Sequence, residues 1–117
     1  SSNTAVQKAL DYLDRHYTGP IRLEAVARAG GCSVSRIAHL MKEVTGKSTL
    51  QHLKRLRVQR ARRLLVDTDK SYADIGYSLG FTDQSHFIRH FRELTGTTPA
   101  RFRRNWRAAP VPAEASG

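Results

Sequence analysis

Apolar residues recur along this chain at helical spacing, and turn residues interrupt them at short intervals. Val6, Leu10, Leu13 and Tyr17 share one face of a first helix, which "TGP" (Thr18 to Pro20) ends. A short helical pattern from Leu23 to Ala29 halts at Gly30-Gly31. Ser33 is then placed to cap a helix carrying Ile37, Leu40, Met41 and Val44, which stops at Gly46. Ser48 caps a longer helix whose stripe runs through Leu50, Leu53, Leu56, Ala61, Leu64 and Leu65 to "DTDK". Ser71, with Asp74 three residues on, reads as a variant capping box for a helix holding Ile75 and Leu79 and ending at Gly80. From about Asp83, Phe87, Phe91 and Leu94 mark another helix, closed by Gly96. Thr98-Pro99 opens the last, with Pro at the position where its missing N–H matters least. No segment alternates as a strand does. The pattern predicts an all-α fold of about seven helices and a disordered tail over 108–117.

The pattern also repeats. "KEVTG" (Lys42 to Gly46) and "RELTG" (Arg92 to Gly96) stand fifty positions apart, and the likeness extends upstream. Val26-Ala27 matches Ile75-Gly76, and Gly31-Cys32-Ser33 matches Gly80-Phe81-Thr82, at an offset of 49. From Ile37 and Phe87 onward the offset is 50, so the second copy holds one extra residue just after its turn. Short helix, glycine turn and longer helix together make a helix-turn-helix. Ala27 and Gly76 supply the small residue where the helices cross, and Gly31 and Gly80 tolerate the positive φ of the turn. We expect residues 1–47 to hold the first such subdomain, 48–66 a rigid linker helix, and 67–107 the second.

Charge narrows the function. Against 20 Lys and Arg stand 10 Asp and Glu, a net charge of +10, which calls for a polyanionic partner such as DNA, RNA or an anionic surface. No apolar run reaches the length of a membrane span, and no signal-peptide core opens the chain, so no membrane partner is expected. The single cysteine, Cys32, fits a reducing cytoplasm. The opening "SSNTAV", without Met, fits a piece cut from something longer. No phosphate loop, nucleophile–base pair or carboxylate cluster argues for an enzyme. His86 and His90 are four residues apart but lack a third ligand, so neither a metal nor another cofactor is expected.

The residues also carry a resemblance. "LEAVARAGGCSVSRIAHLMKEVTGKS" and "RVQRARRLLVDTDKSYADIGYSLGFTDQSHFIRHFRELTGTTPARFR" resemble the DNA-binding domain of the AraC/XylS family of bacterial transcription regulators, over roughly Val6 to Arg103. Departures are local: Met41 stands where Phe is usual, Val34 where Pro is common, Gly76 where Ala is usual, and Arg22 where a Ser-like cap is expected. Gly76 should weaken its helix by about 1 kcal/mol against Ala. The resemblance implies a cytoplasmic, nucleoid-associated regulator, in most cases an activator acting partly through RNA polymerase. Members of the family often carry a separate N-terminal effector or dimerisation domain; nothing in this chain is similar to one, so either it was removed or the chain is a small stand-alone member.

Each second helix should then lie in a major groove, where base edges are distinguishable. On the first, Ser35 and His39 face outward one turn apart, with Arg36 on a base or phosphate. On the second, Gln84, Ser85 and Arg89 form the outward stripe, flanked by Asp83 and His86. Asp83 has a competing role as a helix cap. Lys42, Lys54, Arg55, His86 and Arg92 are expected on the DNA backbone. Arg57, with Leu53 four before and Ala61 four after, falls on the apolar stripe of the basic run "KRLRVQRARR" and is expected to be buried and paired. Two unlike readers on one chain would recognise an asymmetric operator in double-stranded DNA as a monomer. A nonspecific basic nucleic-acid-binding or architectural protein is the alternative, and it would leave the paired helix-turn-helix unexplained.

Overall fold

The computed structural model describes residues 2–108, and the predicted disordered tail lies outside them apart from Ala108, which ends the last helix. Seven helices follow in order: α1 (Ser2–His16), α2 (Leu23–Gly30), α3 (Val34–Thr45), α4 (Thr49–Asp67), α5 (Tyr72–Ser78), α6 (Gln84–Thr95) and α7 (Pro99–Ala108). Among the described residues there is no strand.

Local chemistry sets these boundaries. Ser33 accepts from the Arg36 N–H, and Ser71 from the Asp74 N–H. Ser48 and Gln51 form a reciprocal capping box, which stiffens the entry to the longest helix. The helix opening after Arg22 has no side-chain cap, as the departure at Arg22 implied. In both copies the turn is closed the same way. Gly31 and Gly80 take φ of 76° and 90°, and the next N–H, of Cys32 or Phe81, reaches back 3.0 Å to the carbonyl of Ala27 or Gly76. The repeated "TG" has a job of its own. Thr45 and Thr95 donate their hydroxyls to Met41 O and Phe91 O, and Gly46 and Gly96 end the helices at φ of 79° and 80°.

Two apolar clusters result. The first joins Val6, Ala9 and Leu13 of α1 to Val26, Ala27, Ile37, Leu40, Met41 and Leu53. The second joins Val58, Ala61 and Leu65 of α4 to Ile75, Leu79, Phe81, Phe87 and Phe91. The central helix is therefore part of both cores, more than a connector. At 3.6 residues per turn, Leu53 points about a third of a turn, and Leu56 nearly half a turn, away from Val58, Ala61 and Leu65. One apolar stripe running the length of α4 does not describe this, and Leu50, counted on that stripe, is 58% exposed. Arg57 sits between the two faces.

Two further readings need correction. Val44 and Leu94, expected in the core, are each 42% exposed. The helices they end have 12 residues, whereas α2 and α5 have 8 and 7, so the last turn overhangs its neighbour. Gly76 is the small residue at the helix crossing, as expected. A Cβ there would lie 2.9 Å from the Phe87 Cβ, so the absent side chain lets α6 close onto α5. The cap of α6 also belongs to Asp83, whose Oδ1 accepts from the His86 N–H at 2.8 Å. Ser33 therefore corresponds to Asp83, and the extra residue of the second copy is Thr82.

Arg57, expected buried, is half-buried, and it is paired as expected, though to carbonyls: Nε donates to Tyr17 O at 2.9 Å and Nη2 to Gly19 O at 3.0 Å. Desolvation lowers its pKa, and a guanidinium stays charged regardless. Arg103, which the sequence did not single out, ties α7 to the end of α4 through Leu65 O and Thr68 O at 2.9 and 3.1 Å. These are cations on the free carbonyls of a helix C-terminus.

Candidate nucleic-acid interface

Once the two caps are paired, the outward faces of α3 and α6 correspond position by position. Ser35, Ala38, His39 and Lys42 of α3 are all exposed. Their counterparts on α6 are Ser85, Ile88, Arg89 and Arg92, and all but the half-buried Ile88 are exposed. Opposite these stripes lie the buried anchors Ile37 and Met41 in α3, and Phe87, His90 and Phe91 in α6. An amphipathic helix gripped on one side and bare on the other presents its free stripe as a rigid edge.

The predicted residues do not all fall together. Ser85, Arg89 and Arg92 line one shallow hollow with Ile88 and Glu93. Ile88, to which the sequence reading gave no role, lines the same hollow from the outward stripe. Gln84, exposed in the first turn, does not line that hollow. Asp83 is committed to capping α6. His86 is half-buried, its Nδ1 lying 3.1 Å from Thr82 Oγ1 and its ring packed edge-on against Phe81 and His90. On α3, His39 Nε2 rests 3.0 Å from Glu43 Oε2, one turn further along. Arg36 turns to the flank, beside Lys8, Gly31 and Cys32 at the start of α1. Lys54 and Arg55 line a cleft between the two units with Lys47, Gln51, Glu93 and Leu94.

The histidines are tuned by the same surroundings. Burial, then the charges of His86 and Lys54, lower the His90 pKa, which Glu93 partly offsets. Burial, then Lys47 and Arg55, lower that of His52, whose Nε2 lies 2.6 Å from Thr45 Oγ1. No group of three or more His, Cys, Asp or Glu suited to a metal ion occurs among the described residues. No described helix is long and apolar enough to cross a membrane.

Two helix-turn-helix units sharing one central helix, each with a polar or basic outward edge in a chain of net charge +10, define a DNA-binding domain. Residues 26–105 match the family model described as a helix-turn-helix domain. The chain belongs to the AraC-type helix-turn-helix DNA-binding domains. It is 31% identical over 93 residues, 80% of its own length, to the bifunctional transcriptional activator/DNA repair enzyme AdaA of Bacillus subtilis, of which it spans 44%. An AraC-type transcriptional regulator from Chromobacterium violaceum superposes with a TM-score of 0.85 at 29% identity, covering 93% of this chain and 96% of that one. The DNA-binding domain of AdpA, a global transcriptional factor solved in complex with a target DNA, superposes with a TM-score of 0.82 at 27% identity, covering 89% and 94%.

Proposed function

We propose that the chain regulates transcription, as an activator, by placing α3 and α6 in successive major grooves on one face of an asymmetric operator. The observation carrying this reading is the register of the two outward faces, which hold corresponding places on matched scaffolds and bear unlike side chains. Arg89 reads guanine by its bidentate fork, Gln84 suits adenine, and Ile88 offers an apolar surface to a thymine methyl. Ser35, His39 and Ser85 complete the base contacts, and Arg36 serves a base or a phosphate. Lys42 and Arg92, later along their helices, meet phosphates, as do Lys54 and Arg55 from the cleft. His86 contributes by orienting the start of α6, and Asp83 as its cap.

Residues 1–47 and 67–107 act as two reading subdomains on the 48–66 helix, and the recognition helices stand about 34 Å apart. The chain works in the cytoplasm, at the nucleoid, without catalytic activity of its own. It acts within a longer regulator with an N-terminal effector or dimerisation domain, and RNA polymerase is its partner at the promoter. Activation finds support in the AdaA relative, a transcriptional activator by name. Selecting sites from random DNA and then measuring competition at about 150 mM salt tests the core of this reading. Specific sites should be bound roughly a thousandfold or more above random DNA, and a ratio near one would sink it.

A further inference from the structure

We propose that Arg57 is a positioning residue that locks the distance and twist between the two reading helices, so that the domain accepts one separation of its half-sites and rejects neighbouring ones. The inference rests on the two-headed reading of DNA above, and its observations lie away from both outward faces.

Three parts of the molecule meet on this one guanidinium. Its Nε and Nη2 hold the carbonyls of Tyr17 and Gly19 in the loop between α1 and α2. Its Cζ lies 5.7 Å from the centre of the Phe81 ring, in the turn of the second unit. Gly80 in that turn packs so closely that a Cβ would come within 2.8 Å of Arg57 Nη2 and 2.9 Å of Tyr17 O. The Tyr17 ring packs against both apolar clusters, and Arg60 lies over it at 5.7 Å. The loop bearing Tyr17 and Gly19 leads into α2, against which α3 packs. The turn bearing Gly80 and Phe81 leads within two residues to Asp83, the cap of α6. Arg57 thus touches the second reading head just upstream of α6, and the first through the loop that sets α2, the helix packed against α3.

A helix joining two units is stiff along its axis, but each unit can still rock on the side chains that hold it. The joint removes that freedom by fastening the units to each other. A planar fork with divergent donors and a face for a ring suits the place, whereas an ammonium offers neither the fork nor the plane.

The test reads geometry first and DNA second. Spin labels on Ser35→Cys and Ser85→Cys, in a Cys32→Ser background, report the distance between heads in the free protein by pulsed electron resonance. The native joint should give one narrow distribution, and Arg57→Met a broad one. On DNA, inserting one base pair between the half-sites of the selected operator turns the second groove by about 34°. The native domain should lose about tenfold or more in affinity, and Arg57→Met about threefold or less, from a weaker start. Equal distance widths and equal spacing penalties in both proteins would overturn the proposal. Should Arg57→Met fail to fold, Arg57→Lys carries the same measurements. If both unfold, Arg57 serves stability alone and the proposal falls. If the native domain prefers no site, the DNA reading fails, while the label distances still decide the joint.

Discussion

The two helix-turn-helix units agree where the backbone is under constraint and differ where side chains face outward. Gly31 and Gly80 hold the same turn, Thr45 and Thr95 the same helix end, and Gly46 and Gly96 the same left-handed exit. Ser35 and Ser85 are shared outward, but Ala38 answers Ile88, His39 answers Arg89, and Lys42 answers Arg92. The cores differ in kind as well. Aliphatic Ile37 and thioether Met41 anchor α3, whereas the aromatic rings of Phe87 and Phe91 anchor α6, and Gly76 makes room for the larger anchor. A scaffold residue answers to φ, capping and volume, and those demands are the same twice. An outward residue answers only to what lies in the groove.

Removing an anchor gives the largest expected effect and asks whether the units stand or fall together. Phe87→Ala should destabilise by about 3–5 kcal/mol and Ile37→Ala by about 2–5 kcal/mol in denaturant melts. Because α4 contributes to both cores, each variant should weaken the whole domain. Two separate transitions, with the untouched unit melting at the native midpoint, would show that the shared helix does not couple them.

Next come the outward faces. Arg89→Ala should relax specificity at one base pair and weaken operator binding by about 1–3 kcal/mol, as seen in binding to a panel of single-base variants. His39→Ala should relax a different position, about one helical turn of DNA away. The exchange His39→Arg sharpens the contrast, since a shared place on the frame should then prefer guanine in the first half-site. Equal loss on operator and random DNA for Arg89→Ala would reduce its role to phosphate contact.

The helices, their glycine turns and the caps at Ser33, Ser48 and Ser71 were legible because they are local, decided within four residues. Register after the second turn was not. Ser33 and Thr82 look alike in sequence, yet the cap belongs to Asp83, since its carboxylate reaches the His86 N–H three residues on. Periodicity also carried Val44 and Leu94 inward, because a pattern cannot tell where the neighbouring helix ends. That Arg57 would be at least half-buried and paired was readable, but its partners are carbonyls 40 and 38 residues away, and a carbonyl leaves no mark in a sequence. The outward stripes were largely readable from helical phase, although Ile88, apolar on that stripe, was given no role.

Gly76 and Ala27 hold the same crossing place, so exchanging them tests how far the frames are alike. Gly76→Ala gains about 1 kcal/mol of helix propensity but sets a Cβ 2.9 Å from Phe87, and forcing a packed core apart costs about 1–3 kcal/mol. A net destabilisation of about 1 kcal/mol is expected, measured by the denaturant midpoint. Ala27→Gly should destabilise by a similar amount through propensity alone. A Gly76→Ala variant more stable than the native protein would mean that α5 and α6 part freely, and that the glycine is a plain departure with no packing role.

The smallest effect is a shared pH dependence. Each unit holds one histidine partly out of water, the half-buried His52 against Thr45 and the buried His90 against Phe81, and desolvation lowers both pKa values. The folded state therefore keeps the neutral ring, while the unfolded chain takes up a proton near the ordinary value of about 6.5. Below that pH the unfolded state binds more protons, so stability falls as pH falls and levels off once the folded rings also protonate. Above about pH 7 the contribution is fully present. Thermal melts between about pH 7.5 and 5.5 should show the decline in the native protein. His52→Gln and His90→Gln should each flatten the curve, and the double variant should flatten it most. His90 lies against Lys54 and His86 as well as Glu93, and His52 against Lys47 and Arg55, so acidification adds repulsion in both units. A curve unchanged by either substitution would assign the acid loss to the carboxylates instead, and would leave the two units unlike in their buried polar groups as well as in their outward faces.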